Sequence, residues 1–180
     1  MPNEHGLAPG NGALVGAVVD ATSRTPVSAG KPEPDMFRLA ADRIGAADPV
    51  VVGDRLDTDL AGARSAGYAG LHVFTGVHGV GDVLLAPPEH RPTYIGVDLR
   101  SLLEPHPEPT EAGSGWWTVH PWAARITRGT LELQGPGEVT RCLPIDLVRA
   151  ACAASWSAAD DGAGPDRAGL DELTVCVPES

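Results

Sequence analysis

The spacing of apolar residues predicts two helices in the first 45 residues. A helix over 13–22 is predicted by apolar positions on overlapping helical faces, with Asn11 near its N-cap. A second helix begins at Pro34 and ends at Gly45, a residue type that commonly follows a helix. Between the two helices, residues 26–29 have room for only a short strand. The chain therefore opens with alternating helical and extended segments.

The next 60 residues predict a strand, a helix and a second strand in close succession. The strand covers 49–53, the helix 57–66, and the second strand 70–74. Such a βαβ unit places its two strands parallel in one sheet, with a right-handed crossover. A further strand over 94–97 and a short helix over 98–103 extend the pattern. We therefore predict an α/β fold with a partial doubly wound, Rossmann-like parallel sheet in residues 1–104.

A linker and a second small unit are predicted beyond this core. Residues 105–115 lack periodicity and contain three prolines and two acids, which is typical of a linker. We assign residues 116–180 to a small α+β C-terminal extension. Its predicted elements are strands over 116–119, 124–127, 130–133 and 173–177 and a helix over 145–158.

Composition and charge narrow the possible partners. The formal net charge is −11 and the pI is about 4.8, which argues against nucleic-acid and anionic-membrane surfaces. The three cysteines, Cys142, Cys152 and Cys176, are far apart and lack metal-ligand spacing. We expect all three to be packing residues in a reducing compartment rather than a disulfide framework. With no apolar stretch long enough to span a bilayer, we expect a cytoplasmic protein.

The main candidate for chemistry is the acidic segment Gly53–Asp59, which directly follows the apolar strand. Asp54 would leave the strand and Asp59 would lie in the first turn of the next helix. Ligands of open α/β sheets bind at this carboxyl end, and carboxylate oxygens suit Mg²⁺. We predict Asp54 and Asp59 as magnesium ligands, with Gly53 allowing close approach. For Asp57 we favour the alternative of a helix-capping residue.

Lys31 is the candidate cation for the same crevice. It lies in a Gly-Lys-Pro turn, whose flanking residues restrict the backbone and direct the ammonium group. A fixed point charge there would neutralise a phosphate and the carboxylates around it. Most lysines are solvated surface charges, so Lys31 gains its functional interpretation from the acidic segment about twenty residues later. We therefore predict Lys31 as a catalytic and phosphate-binding residue.

Four segments in this order resemble the C-terminal half of the haloacid dehalogenase (HAD) superfamily of hydrolases. They are Pro9–Leu14, Gly30–Phe37, Val52–Asp59 and Thr75–Val77. The similarity is to the branch of p-nitrophenyl phosphatases, phosphoglycolate phosphatases and nucleotide monophosphatases. It implies Mg²⁺-dependent hydrolysis of a small phosphorylated metabolite through an aspartyl-phosphate. It also implies that Lys31 steadies the nucleophile and the phosphoryl group, and that Asp54 and Asp59 serve the magnesium ion.

The resemblance also implies a nucleophile that these 180 residues do not contain. The family carries its nucleophilic aspartate in an Asp-x-Asp-Gly motif, which is absent from the sequence, and Asp160-Asp161-Gly162 is a poor substitute. We expect the motif and the cap domain to precede residue 1. Without that first strand, the strand Val50–Val52 becomes an apolar edge open to self-association or to a complementing chain. We therefore expect a truncated phosphatase that is weak or inactive alone, or a subunit of a split phosphatase.

Two alternatives stay open at this point. The first is a non-catalytic interaction protein that uses Trp116, Trp117 and Trp122 as a contact surface, although a small core is the more common role of such a cluster. The second is a receiver-like module that binds phosphate or Mg²⁺ reversibly. The six histidines are scattered, and we expect them to be satisfied or solvated rather than ligands.

Overall fold

The computed structural model of the protein describes residues 2–4 and 6–177. Its α-helices are α1 (Asn11–Thr22), α2 (Asp35–Ile44), α3 (Ala61–Ala66), α4 (Val80–Leu84) and α5 (Ile145–Asp160), and short 3-10 helices cover Pro88–His90, Leu99–Leu103 and Leu170–Glu172. Its strands are β1 (Pro2–Asn3), β2 (Gly6–Leu7), β3 (Val50–Gly53), β4 (Ala69–Val73), β5 (Tyr94–Gly96), β6 (Thr110–Gly113), β7 (Trp116–Val119), β8 (Trp122–Thr127), β9 (Thr130–Gln134), β10 (Cys142–Leu143) and β11 (Thr174–Val175).

A three-stranded parallel sheet in the order β3-β4-β5 forms the core of the first hundred residues. Gly53 of β3 is in register with His72 of β4, and His72 is in register with Ile95 of β5. This confirms the predicted mixed α/β class with a partial Rossmann-like sheet. Among the described strands, β3 pairs only with β4, so its other edge is free.

The expected short strand over residues 26–29 does not form. Residues 23–29 have no regular structure, and Val27 is 97% exposed. A strand needs a neighbour for its backbone hydrogen bonds, and no described strand lies beside this segment. Helix α1, just before it, has no buried residue, and Leu14 and Val18 are more than 60% exposed. The chain before Gly30 therefore carries apolar residues that nothing in the described structure covers.

The crossover from β3 to β4 begins with a single π-helical turn, Leu56–Leu60, and continues into α3. In this turn the N–H of Leu60 donates to the carbonyl of Arg55, five residues earlier, across 3.1 Å. Wide turns of this kind often occur at functional sites. Gly67 ends α3 in the left-handed region, with φ of 81°, as predicted for a glycine after a helix.

The C-terminal extension is an antiparallel meander, β6-β7-β8-β9, on which α5 packs. Strand β6 lies inside the segment 105–115, whose composition is that of a linker. Strand β10 precedes α5 in the chain and strand β11 follows it, and the two strands pair in parallel. Regular structure therefore occurs both before and after Gly115, the last residue of the predicted linker.

One hydrophobic cluster joins the sheet region to the extension. Leu56 and Leu60 of the π-helical turn belong to the same cluster as Leu147 and Val148 of α5. Trp117 and Trp122 pack against this cluster, as expected for core residues of a small subdomain, while Trp116 lies under the guanidinium of Arg125. The sheet region and the extension therefore contribute to one hydrophobic core.

Arg149 provides a polar link at the same junction. Its residue is only 7% exposed, and its guanidinium donates to the carbonyl of Ile95 from both Nε (3.0 Å) and Nη2 (2.9 Å). Nη1 donates to Asp146 (2.7 Å), and Nη2 lies 3.1 Å from Nδ1 of His106. A single buried side chain thus connects β5, α5 and the segment that follows Leu103.

The expectation for the cysteines was wrong for two of the three. Cys142 and Cys176 form a disulfide, because the parallel pairing of β10 and β11 brings their Cα atoms within 5.1 Å although 34 positions separate them. Cys152 is a free, buried residue of the hydrophobic cluster, as expected for a packing residue. No helix in the described part of the chain is long and apolar enough to cross a membrane.

Candidate functional site

Asp54 is fixed at the carboxyl end of β3 by the segment that follows β4. The backbone N–H of Val77 donates to Asp54 Oδ2 across 2.8 Å, and the N–H of His78 donates to the Asp54 carbonyl across 3.2 Å. A Cβ atom at Gly76 would overlap the Asp54 carboxylate, so only glycine permits this approach. The position of Asp54 is therefore set by two different strand ends.

Lys31 and Asp59 meet directly across the same end of the sheet. Lys31 Nζ donates to Asp59 Oδ1 across 2.6 Å, and the other carboxylate oxygen of Asp59 accepts from the N–H of Arg55 across 3.2 Å. The side chain of Asp59 is 10% exposed and that of Lys31 is 45% exposed. The lysine is therefore anchored at its charged end while half of its side chain stays in contact with solvent.

The glycine at position 53 has a structural role in addition to the one expected. A Cβ atom there would overlap the side chain of Asp59. Gly53 thus lets the π-helical turn fold back onto β3 and brings the Asp59 carboxylate under Lys31. A side chain at position 53 would therefore displace Asp59.

Asp57 pairs with Arg55 rather than with Lys31. The guanidinium of Arg55 donates to both of its oxygens, Nε to Oδ1 at 3.1 Å and Nη2 to Oδ2 at 2.6 Å. These hydrogen bonds lower the pKa of Asp57. Its side chain caps no helix, and its charge is neutralised by a neighbour on the same turn.

The available carboxylates fit a divalent cation unequally. Both oxygens of Asp59 are engaged, by Lys31 and by Arg55, whereas Asp54 has one oxygen, Oδ1, with no protein partner among the described residues. The described part of the chain gathers no group of three acidic, histidine or cysteine side chains around one point. Because Mg²⁺ takes only one or two protein carboxylates and keeps several waters, Asp54 fits as a single protein ligand.

Two histidines of the site were missed from the sequence. His72, on β4, is completely buried, and its Nε2 lies 3.2 Å from the carbonyl of His78. His78 Nδ1 in turn accepts the N–H of Leu56 across 2.8 Å. The usable signal was the position of His72 inside an apolar strand, where a histidine requires a hydrogen-bond partner. The expectation of a satisfied histidine holds for one of its two nitrogens.

Fold and site together define a partial doubly wound α/β domain with a lysine–carboxylate pair at the carboxyl end of its parallel sheet. Residues 28–102 match the HAD-hydrolase-like family, and residues 120–174 match the GCN5-related N-acetyltransferase-like domain family. The chain is 40% identical over 162 residues to a D-glycerol 3-phosphate phosphatase of Mycobacterium tuberculosis, which covers 88% of this chain and 44% of that protein. It is 37% identical over 101 residues to an acid sugar phosphatase of Staphylococcus haemolyticus, covering 55% and 38%.

Solved structures give the same assignment. A glycerol phosphate phosphatase from Mycobacterium tuberculosis, in complex with magnesium, superposes with a TM-score of 0.70 and 34% identity, over 98% of this chain and 48% of that one. A p-nitrophenyl phosphatase from Archaeoglobus fulgidus gives a TM-score of 0.51 and 35% identity, over 58% and 42%. This chain belongs to the HAD-like hydrolases, in their phosphatase branch. It spans about half the length of the relatives it matches.

Proposed function

We propose that this chain supplies the lysine and metal-binding half of a phosphatase site for small phosphate monoesters. The observation that carries the proposal is the arrangement of Lys31, Asp59 and Asp54 at the end of β3. One ammonium group is anchored by a buried carboxylate, and a second carboxylate at the same strand end keeps one oxygen without a partner in the described part of the chain. Anionic substrates need such a fixed cation in an otherwise acidic chain.

In this proposal Lys31 and Asp59 act as a unit. The carboxylate of Asp59 holds Nζ in one place, so the ammonium group needs no reorganisation when a phosphate arrives. Lys31 then binds a phosphoryl oxygen and favours the charge that develops on it. Asp59 contributes by orienting the lysine, because both of its oxygens already have donors.

Asp54 would hold the divalent cation, and we propose Mg²⁺. A bound cation would supply charge stabilisation at the phosphoryl group. The related M. tuberculosis glycerol phosphate phosphatase has been solved in complex with magnesium and with calcium, which supports a divalent cation of this kind. The Val77 N–H bond to Oδ2 leaves Oδ1 as the proposed coordinating atom.

The nucleophile would come from polypeptide outside these 180 residues. The sequence contains no Asp-x-Asp-Gly, and the matched phosphatases are about twice as long as this chain. We propose that a strand carrying the nucleophilic aspartate pairs with the free edge of β3, and that the same polypeptide covers Leu14 and Val18 of α1. The chain alone is then expected to be inactive or weak, whether the completing segment is joined to it or separate.

For the substrate we propose a small polyol or sugar phosphate. The M. tuberculosis relative is a D-glycerol 3-phosphate phosphatase, and the staphylococcal relatives are acid sugar phosphatases. Their shared chemistry is a phosphate monoester on a hydroxylated carbon chain. A cytoplasmic location and a small-molecule substrate are both consistent with this proposal.

Complementation tests the proposal. The chain is assayed with Mg²⁺ on glycerol 3-phosphate and p-nitrophenyl phosphate, alone and after co-expression with the part of the M. tuberculosis relative that it does not match. We expect phosphate release only in the complemented sample, loss of it in Asp54→Asn and Lys31→Met, and retention in Asp160→Asn. Asp160 is a suitable control because it pairs with Arg91 on the surface, away from β3.

The other outcomes separate the alternatives. Turnover by the chain alone that disappears in Asp54→Asn would contradict the proposed division of the site. A stable complex without turnover would favour a non-catalytic interaction protein, which the exposed apolar face of α1 also supports.

A further inference from the structure

A hydrogen bond joins the side chain of His72 to the backbone of His78, close to the candidate metal ligand Asp54. His72 is on β4, and His78 lies in the segment Thr75–Gly79, which we call the β4 loop. Nε2 of His72 is 3.2 Å from the carbonyl oxygen of His78. Because a carbonyl oxygen only accepts hydrogen bonds, Nε2 carries the proton and donates it. The buried strand is therefore tied to the loop above it by one side-chain bond.

The loop held by this bond makes most of the contacts to Asp54. Val77 and His78 donate backbone N–H groups to Asp54, and His78 Nδ1 accepts the N–H of Leu56. Gly76 packs directly against the Asp54 side chain. Any movement of the loop would move three supports of Asp54 at once.

Burying His72 costs free energy, because one of its ring nitrogens lacks a hydrogen-bond partner in the described structure. Its Nδ1 has no hydrogen-bond partner in the described structure, although no solvent reaches it. Burial lowers the pKa of His72 to about 4, so the ring is neutral near pH 7. An aliphatic side chain would fill the same space without an unsatisfied nitrogen. The bond to the β4 loop is the property that an aliphatic residue would lack.

We propose that His72 is a positioning residue of the phosphatase site, which holds the β4 loop so that Asp54 keeps its coordinating oxygen in place. The link to metal binding rests on the proposed function, whereas the effect of His72 on the β4 loop does not depend on it. The proposed role is that of a buried residue that acts through the loop it is bonded to. Without the His72 bond, the Val77 and His78 N–H groups would release Asp54 more often.

Amide hydrogen exchange with Mg²⁺ titration of the full chain tests this role. In His72→Phe, which keeps a ring but removes the donor, we expect the Val77 and His78 amides to exchange about fivefold faster, the loss of one hydrogen bond. We expect a similar, about fivefold, weakening of Mg²⁺ binding. His72→Gln restores a donor at the position of Nε2 and should recover most of both properties.

Two further variants keep the result interpretable. Val148→Ala removes core volume in α5 and should lower global stability without changing these two amides, so it shows what simple destabilisation does. His72→Leu removes the donor in a smaller side chain, in case the phenylalanine variant does not fold. Unchanged Val77 and His78 exchange in both variants that lack a donor would overturn the proposal. If the wild-type chain binds no Mg²⁺ but the exchange pattern appears, the proposed metal site fails and the positioning role stands.

Discussion

The ammonium group of Lys31 lies 2.6 Å from a carboxylate oxygen of Asp59, 28 positions later in the chain. The two residues belong to different segments, a Gly-Lys-Pro turn before α2 and a π-helical turn after β3. Asp59 is nearly buried while Lys31 is half exposed. The pair therefore works as a buried anchor with an accessible cation.

Replacing Asp59 should lower the free energy of unfolding more than replacing Asp57. For Asp59→Asn we expect a loss of about 1 kcal/mol in the free energy of unfolding, because the ion pair with half-exposed Lys31 is lost and an amide nitrogen cannot accept the N–H of Arg55. For the matched Asp57→Asn, whose partner Arg55 is similarly exposed, we expect at most about 0.5 kcal/mol. Urea unfolding of both variants measures the difference, and equal losses would show that burial of Asp59 contributes nothing.

A methyl group at position 53 should displace the side chain of Asp59 and, through it, Lys31. In Gly53→Ala the new Cβ overlaps Asp59, so we expect a loss of about 1–3 kcal/mol and a shifted Lys31 resonance in NMR spectra. Gly16→Ala is the control, since Gly16 lies in the middle of α1 with open space around it. That change should stabilise the chain slightly, by about 0.5–1 kcal/mol, through helix propensity. A harmless Gly53→Ala would contradict the packing of Asp59 on β3.

The sequence predicted the parts of the fold and site that depend on local pattern, and missed those that depend on the path of a loop or on strand pairing. The strand before Asp54 and the helix that ends before Gly45 follow from hydrophobic spacing and from turn residues. The His72–His78 bond depends on how the loop after β4 folds back over that strand, and the Cys142–Cys176 disulfide depends on the pairing of β10 with β11; short-range patterns specify neither. The absent strand at 26–29 has a related cause, because strand formation requires a neighbouring strand.

Arg149 should contribute far more to stability than the surface residue Arg100. Arg149→Met removes two bonds to the Ile95 carbonyl and leaves Asp146 and His106 without their donor, so we expect a loss of about 2–4 kcal/mol. Arg100→Met, whose partner Asp98 lies on the surface, should change stability little. Chemical denaturation checks both variants. Comparable effects would show that the buried junction of β5 and α5 does not depend on Arg149.

The depressed pKa of His72 gives stability a specific pH dependence. Burial lowers this pKa from an ordinary 6.5 to about 4, so the unfolded chain binds the proton more strongly than the folded chain between these values. The contribution is complete above pH 6.5 and is lost as pH falls toward 4. Between pH 7.5 and 4.5 the wild type should lose about 2 kcal/mol more than His72→Gln. Parallel pH profiles for the two proteins would mean that His72 titrates normally in the folded state.

Thiol counting distinguishes the bonded cysteines from the buried one. In the oxidised native chain we expect no rapid reaction with a thiol reagent, because Cys142 and Cys176 are bonded and burial raises the pKa of Cys152. Denaturation should expose one thiol, and denaturation after reduction should expose all three. Reduction should also lower the free energy of unfolding by about 4 kcal/mol, the value for a loop of this length, and Cys142→Ser should reproduce that loss without a reductant. Three reactive thiols in the unreduced, denatured chain would show that the pairing of β10 with β11 brings the two sulfurs together without oxidising them.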